Sequence, residues 1–348
     1  MRAITFQGER QVAFEIVPDP TILEPRDAIV RVERSAVCGS DLHAYHGREV
    51  GLDPGTVMGH EFLGTVVERG PSVRRFTAGD RVVSPFSTAC GECDPCMRGL
   101  SARCVAGGLF GWVSNRRGLQ GAQAEYVRVP LADTTLVAAP ENVDLDVALL
   151  LGDVLPTGFY AARRAEVGEG ATVVVLGCGP VGLAAVLAAR AAGAETLFAV
   201  DGVPERRAVA AGFGATPFDS NTDGVAKRLR DETAPQGVDA VIEAAGTPAA
   251  SRLALELVRP GGTVVVVAVH NEESFAFPPS AVYDKNVTYR SGRCPARSLM
   301  PGLVDWVRSH QSDAARLVTH RWPLASGVAA YELFDSRGDG CIKVVFHL

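Results

Sequence analysis

Two short stretches carry side chains that bind metals: VCGSDLH, from Val37 to His43, and VMGHEF, from Val57 to Phe62. Cys38 offers a thiolate and His60 an imidazole. A catalytic zinc takes three protein ligands and keeps one position for an exchangeable molecule. The third ligand is either close in sequence, at Glu61 or His43, or comes from elsewhere in the chain. A second set is complete in itself. Cys90, Cys93, Cys96 and Cys104 stand in ACGECDPCMRGLSARC with the spacing C-x2-C-x2-C-x7-C. Four thiolates close a tetrahedral shell and leave no position for substrate, so this second zinc is expected to be structural. Cys178, Cys294 and Cys341 are scattered.

A third pattern points to a nucleotide. In LGCGPVG, the residues Gly177, Gly179 and Gly182 follow an apolar run, ATVVVLG, and open an Ala-rich one, PVGLAAVLAARAAGA. The first glycine permits a tight turn, the second lets backbone approach a pyrophosphate, and the third lets helix and strand pack closely. Pro180 and Val181 would then lie at a helix N-terminus, whose free N–H groups and dipole attract phosphate. Asp201 closes the next apolar run, TLFAVD, 19 residues beyond Gly182. A carboxylate there bonds ribose hydroxyls and repels a 2′-phosphate, which favours NAD over NADP. Arg206 and Arg207 stand close enough to soften that preference.

These groups need a scaffold, and the texture of the chain changes at about Val154. Before it, short β-like runs (AIVRVERS, FLGTVVERG, GDRVVSP) alternate with Gly, Pro and Asp. After it, buried-strand runs alternate with helical ones: PERRAVAAGFGA, GVAKRLRDETA, VDAVIEAAG, PAASRLALELV, GGTVVVVAV. That alternation requires a parallel sheet covered on both faces. From about Val287 mixed short elements return, closing with CIKVVFHL as a terminal strand. The expected layout is a β-rich domain from 1–153 and 289–348, with an α/β domain inserted at 154–288.

The totals fit two domains: 348 residues, 47% hydrophobic and 21% charged. A net charge of −6 and the lack of a basic run give no footprint for nucleic acid or an anionic membrane. The start, MRAITFQGER, has no apolar signal region, and GCGP interrupts the long uncharged run from Ala171 to Ala189. A cytoplasmic protein is expected. Eight cysteines in such a chain speak for metal or catalysis rather than disulfides.

CGSDLH, GHE, the four cysteines, GCGPVG with its Asp, and the closing IKVV together resemble the zinc-dependent medium-chain alcohol dehydrogenases over essentially the whole length. The resemblance implies a GroES-like β-rich catalytic domain with an inserted Rossmann domain, acting as a homodimer or homotetramer. It implies NAD(H)-linked interconversion of an alcohol and its aldehyde or ketone, with zinc acidifying the substrate hydroxyl. In LLGDVLPTGFYAA, Asp153 takes the position of the family's third catalytic ligand, where many members carry Cys. Asp is the choice in the branch similar to glutathione-independent formaldehyde dehydrogenases. The competing reading makes Asp153 a helix N-cap.

By the same resemblance, Glu61 is the family's glutamate that stands behind the metal or ligates it transiently. Asp41 is the carboxylate that orients His60. Ser40 and His43 form a proton relay, Thr157 approaches the nicotinamide ring, and Lys343 contacts the pyrophosphate. Phe86 lines the substrate pocket. Phe110 and Trp112, in VAGGLFGWVSNRRGLQ, cover its mouth, and this segment is shorter than in better-known members. Tyr45 and His46 either bond a polyol substrate or are surface residues. Two rivals use the same fold: a zinc-free NADPH-dependent double-bond reductase, and a non-catalytic redox or metal sensor. Cys38, His60 and Asp153 oppose the first, and the Ser40–His43 relay opposes the second.

Overall fold

The computed structural model describes all 348 residues, Met1 to Leu348. It divides into two compact units, Met1–Pro156 with Pro295–Leu348, and Thr157–Cys294. No single helix is long and apolar enough to cross a membrane. The uncharged run at 171–189 is instead a strand, Thr172–Leu176, a turn, and a helix, Pro180–Ala191.

The first unit is built on a seven-stranded sheet centred on Ala28–Ala36. This strand pairs antiparallel with Phe62–Arg69, with Tyr126–Val129, and with the C-terminal strand Val344–His347. The last residues of the chain are thus sheet partners of its first segment, as the closing VVFH pattern leads one to expect. Ala28, Val30, Phe62, Val66, Val82 and Val127 make one buried cluster. Ile4, Tyr45, Met58, Tyr331, Val344 and Phe346 belong to another.

A buried carboxylate stitches the N- and C-terminal segments together. Asp144 caps the helix Leu145–Leu149 by accepting from the Asp146 and Val147 N–H groups. That turn places Asp146 where Arg34 Nε donates to it at 2.8 Å and Arg321 Nε at 2.6 Å. His347 Nε2 lies 3.0 Å from the same carboxylate. One residue therefore ties the central strand, the strand His320–Pro323 and the C-terminal strand to one helix.

The second unit is a six-stranded, all-parallel sheet. Its spatial order is Thr216–Asp219, Thr196–Asp201, Thr172–Leu176, Val238–Glu243, Val258–Val266, Thr288–Ser291. This is the 3-2-1-4-5-6 order of a doubly wound dinucleotide fold. Val173, Val174 and Val175 are all buried, because helices cover both faces and consecutive residues have no solvent side. Two of its strands carry weak signals in the sequence. TPFD is short and contains proline, and TYRS lies beyond Val287, where short mixed elements are expected; it pairs parallel to Val258–Val266 as the edge strand.

Asp146 yields a prediction. Burial alone would raise its pKa, but the bonds from Arg321 and Arg34 outweigh that and hold it below the usual carboxylate range. A carboxyl depressed in the folded state contributes stability that is complete above its unfolded pKa and lost as pH falls through the folded one. Asp146→Asn is expected to lower the urea midpoint at neutral pH, with the difference from wild type shrinking between about pH 5 and pH 3. A difference independent of pH over that range counts against the ion-pair account.

Candidate active site and metal centres

The register of two strands assembles the first cluster. Ser35 faces Phe62 and Arg34 faces Leu63. Cys38, just past the end of one strand, and His60, just before the start of the other, therefore leave the sheet at the same end. Asp153 arrives from a third direction. It stands between the short 3₁₀ turn Leu150–Gly152 and the helix Val154–Arg164. Gly152 lets this turn press on the sheet, since a Cβ there would sit 2.4 Å from Ser84 O.

One donor atom from each of Cys38, His60, Glu61 and Asp153 lies within 4.8 Å of the others. Cys38 Sγ is 3.7 Å from Asp153 Oδ2, and His60 Nε2 is 3.5 Å from the same oxygen. All four side chains are buried. Of the residues considered for a third ligand, Glu61 and the distant Asp153 join Cys38 and His60 in this group, and His43 does not. His43 instead lies half-buried on the short helix Asp41–Tyr45. Ser40 Oγ donates to Cys38 Sγ at 3.3 Å and lies 3.2 Å from His60 Nε2, beside two of the four.

The electrostatics suit a divalent cation. Burial would lower the His60 pKa, yet the charges of Asp41 and Cys38 outweigh it and drive it well above its ordinary value. Burial pushes the Cys38 thiol up, with Glu61 adding to the effect. Three groups able to carry negative charge surround one imidazole, so positive charge is strongly favoured at their centre. Glu61 Oε2 is buried with no hydrogen-bond partner, which an adjacent cation would satisfy. The donors fit zinc: one sulfur, one nitrogen and carboxylate oxygen.

Asp41 holds the imidazole from behind. Its Oδ1 is 3.2 Å from His60 Nδ1, and its Oδ2 accepts from Cys38 N at 2.9 Å. With Nδ1 engaged, Nε2 is the nitrogen directed at the cluster.

Lys343 corrects an expectation. The resemblance implies a pyrophosphate contact, but Lys343 is fully buried and donates to Glu61 Oε1 at 2.6 Å and Val37 O at 3.1 Å. Burial lowers its pKa, and Glu61 more than offsets this, so the ammonium keeps its charge. A buried lysine needs a carboxylate partner, and the terminal strand delivers it directly behind Glu61.

Phe86 presents its edge to His60, with ring centroids 6.5 Å apart and planes at 88°. Phe110 does not line a pocket mouth. It is buried and packs on Phe62 at 5.1 Å, because that part of the segment after Cys104 folds inward to complete the core. Trp112 opens a two-stranded hairpin, Trp112–Ser114 with Arg117–Leu119, and packs against the cluster of Ile4, Tyr45 and Tyr331. Tyr45 and His46 are also taken up by packing. The Tyr45 ring packs tilted against Tyr331, centroids 5.5 Å apart, and His46 Nε2 is 2.6 Å from Asp335 Oδ1.

The four cysteines form the second cluster. Cys90, Cys93, Cys96 and Cys104 bring their sulfurs within 4.8 Å of one another, and all are free thiols. Cys104 Sγ accepts from Cys90 N at 3.1 Å and Cys90 Sγ from Cys93 N at 3.3 Å. Backbone N–H groups aimed at sulfur stabilise thiolates; those of Val105 and Cys96 bring the Cys93 pKa down to about 6.

In the second unit, the glycine pattern is explained by contacts. Gly177 has φ +89°, and a Cβ on Gly182 would stand 1.7 Å from Gly177 O. Asp201 braces the loop: Oδ2 accepts from Cys178 N at 2.7 Å and Oδ1 from Val203 N at 2.8 Å. Arg206 is buried beside the loop, its Nη1 3.9 Å from where a Gly179 Cβ would be. Arg207 pairs instead with Asp219 at 3.1 Å. Thr157 is buried near the start of this unit, one residue before Gly158, whose bare Cα allows the helix Val154–Arg164 to touch Ala184.

Several site residues were not singled out by the sequence pattern: Gln123, Tyr331, and the pair Glu243–His270 at the carboxyl ends of the parallel strands. Only GHE held a usable signal for one of their neighbours. Gly59 adopts φ +90°, which favours glycine.

Residues 24–141 match the model of the alcohol dehydrogenase GroES-like domain, and residues 180–309 match that of the zinc-binding dehydrogenase. Zinc-type alcohol dehydrogenase B of Aspergillus flavus is 42% identical over 97% of this chain and 79% of its own. The NADP-dependent isopropanol dehydrogenase of Thermoanaerobacter brockii is 36% identical over 85% of each chain. The solved structure of alcohol dehydrogenase TADH from Thermus sp. ATN1 superposes with a TM-score of 0.95 at 39% identity, covering 100% of both chains. With a buried Cys–His–Asp–Glu cluster, a four-cysteine cluster and a glycine-loop α/β unit in one chain, these matches place the protein in the zinc-dependent medium-chain alcohol dehydrogenase family, whose members are oxidoreductases acting on alcohols.

Proposed function

We propose that this chain interconverts an alcohol and its aldehyde or ketone with NAD(H), holding a catalytic zinc on Cys38, His60 and Asp153 and a structural zinc on Cys90, Cys93, Cys96 and Cys104. The observation that carries this is the convergence of Cys38, His60, Glu61 and Asp153 within 4.8 Å in a buried pocket of negative charge. Zinc held by these residues would supply an electrophile that lowers the pKa of a substrate hydroxyl, and a nicotinamide cofactor on the Gly177–Gly182 loop would supply the hydride acceptor.

The chain's own residues do the rest. Ser40 Oγ, beside Cys38 Sγ and His60 Nε2, would accept the substrate proton while handing its own on, through a cofactor ribose hydroxyl, towards His43. Asp41 keeps His60 in one tautomer. Glu61, neutralised in part by Lys343, adjusts the charge of the site as substrate and water exchange. Phe86 lines the substrate side. Gly177, Gly179, Pro180, Val181 and Gly182 cradle the pyrophosphate and Thr157 approaches the nicotinamide.

Asp201 supports NAD over NADP, because each carboxylate oxygen retains a lone pair for a ribose hydroxyl while its charge opposes a 2′-phosphate. Arg206, buried beside the loop, and Arg207, whose Nη1 donates to Asp201 O at 2.8 Å, are nearby groups that favour phosphate. Asp201→Ala is expected to weaken NAD⁺ binding more than NADP⁺ binding, read as the change in the ratio of the two dissociation constants, since losing its loop contacts affects both cofactors. A wild-type protein that binds NADP⁺ more tightly than NAD⁺ overturns the assignment.

Asp153 is tested by separating its two possible roles. Asp153→Asn preserves a helix cap but makes a poor zinc ligand. As ligand, its loss removes one zinc per chain and lowers alcohol turnover by several orders of magnitude, with NAD⁺ binding retained. As cap alone, Asp153→Ala costs about 1 kcal/mol of stability and leaves two zincs and turnover in place. Cys93→Ser gives the complementary result: one zinc lost, and a lower melting temperature because metal binding supplies folding free energy. An unchanged melting temperature with that zinc gone would argue against a structural role.

A further inference from the structure

Behind the cluster of Cys38, His60 and Asp153 lies a chain of buried polar groups that ends on the helix Gly327–Ser336. Gln123 Nε2 donates to Asp41 Oδ2 at 3.3 Å and to Ala36 O at 3.0 Å. Its other end, Oε1, accepts from the Tyr331 hydroxyl at 3.0 Å. Both side chains are wholly enclosed. We propose that Gln123, itself held by Tyr331, is a positioning residue for the metal site, fixing Asp41 and through it the His60 ring and the Cys38 backbone. This rests on the reading that Cys38, His60 and Asp153 hold a metal.

Three independent features make Gln123 a fixed strut rather than an incidental neighbour. Its backbone is anchored on both sides: N donates to Met58 O at 2.8 Å, and O accepts from Ile4 N at 2.8 Å. Its stem lies directly on the residue before His60, for a Cβ on Gly59 would stand 2.4 Å from Gln123 Cγ. Its amide orientation is fixed by the end that faces Asp41: reversing it would set an oxygen against Ala36 O and Asp41 Oδ2, two acceptors.

Asp41 is where this matters. One of its oxygens faces His60 Nδ1, and the other accepts from Cys38 N and Gln123 Nε2. Without the amide, a single N–H holds that second oxygen, and the carboxylate is less firmly fixed about its last torsion. The support that Cys38 and His60 share is then looser for both. In a buried network each bond also strengthens its neighbours, so removal at one end is felt at the other. Tyr331 comes from the helix Gly327–Ser336 and also packs its ring on Tyr45, 5.5 Å away, on the helix that carries Asp41. The C-terminal segment thereby supports the site from behind, without supplying a ligand.

The test uses the zinc-loaded protein and reads metal release to a chromogenic chelator, together with the visible spectrum after cobalt is exchanged into the Cys38 site. Gln123→Leu keeps the stem that packs on Gly59 and removes the amide. Tyr331→Phe keeps the ring packing and removes only the hydroxyl. Gln123→Leu is expected to release one metal per chain about 10- to 100-fold faster, with an altered cobalt spectrum and the four-cysteine metal retained. Tyr331→Phe should shift both readouts in the same direction by less, and Gln123→Glu, which swaps the donor for an acceptor, should not rescue them. Metal release within twofold of wild type and an unchanged spectrum in Gln123→Leu overturn the proposal. If that variant does not fold, the same result in Tyr331→Phe overturns it. A Cys38→Ser protein that loses no metal relative to wild type shows instead that the metal reading itself is wrong, and the proposal falls with it.

Discussion

Ser35 faces Phe62 across an antiparallel ladder, and the arrangement of the site follows from that register. A slip of one residue would turn every side chain of the strand to the opposite face. Val30, Val32, Phe62 and Val66 bury themselves in one cluster, so such a slip would expose a whole apolar face. Cys38 and His60 are therefore brought together by hydrophobic pairing several residues away from either. The polar side chains of the cluster themselves contribute little to choosing the register. They occupy the places that the sheet leaves for them.

Once assembled, the cluster must solve a charge problem. Cys38, Glu61, Asp153 and Asp41 crowd a buried volume with one imidazole and one ammonium. Unpaired, such groups would each cost several kcal/mol to bury. Lys343 balances Glu61 at 2.6 Å, and Asp41 balances His60 at 3.2 Å. Cys38 and Asp153 lie against each other, with the remaining ring nitrogen of His60 3.5 Å from the Asp153 carboxylate. A cation held among these side chains, as proposed, would offset the cost of burying them together.

The nucleotide unit is organised by steric contacts rather than by charge. Gly158 against Ala184, Gly182 against Gly177 O and Gly177 against Ala245 bring helices and strands nearer than any side chain would permit. Asp201 then spends hydrogen bonds on Cys178 N and Val203 N, so that the residue expected to meet ribose also holds the loop in shape. At the same end of the sheet, Glu243 accepts from Ala245 N and Gly246 N and pairs with His270. Loops that must recognise a cofactor are thus tied down by buried carboxylates at their roots.

What the sequence determined by itself was whatever is encoded locally. The four cysteines lie within one short loop, the glycine loop lies between one strand and one helix, and the parallel strands read as continuous apolar runs because neither of their faces meets water. Short elements with mixed composition, such as TPFD and TYRS, carry too little periodicity to be read as strands; pairing with longer neighbours makes them so. Tertiary structure alone decided the rest. It turned Phe110 into the core, sent Lys343 to Glu61, and joined Tyr331 through Gln123 to Asp41. Asp153 and Cys38 are 115 residues apart in the chain, and Gln123 and Tyr331 are 208 apart. No local pattern records such contacts, because they depend on where separate hydrophobic surfaces come to rest against one another.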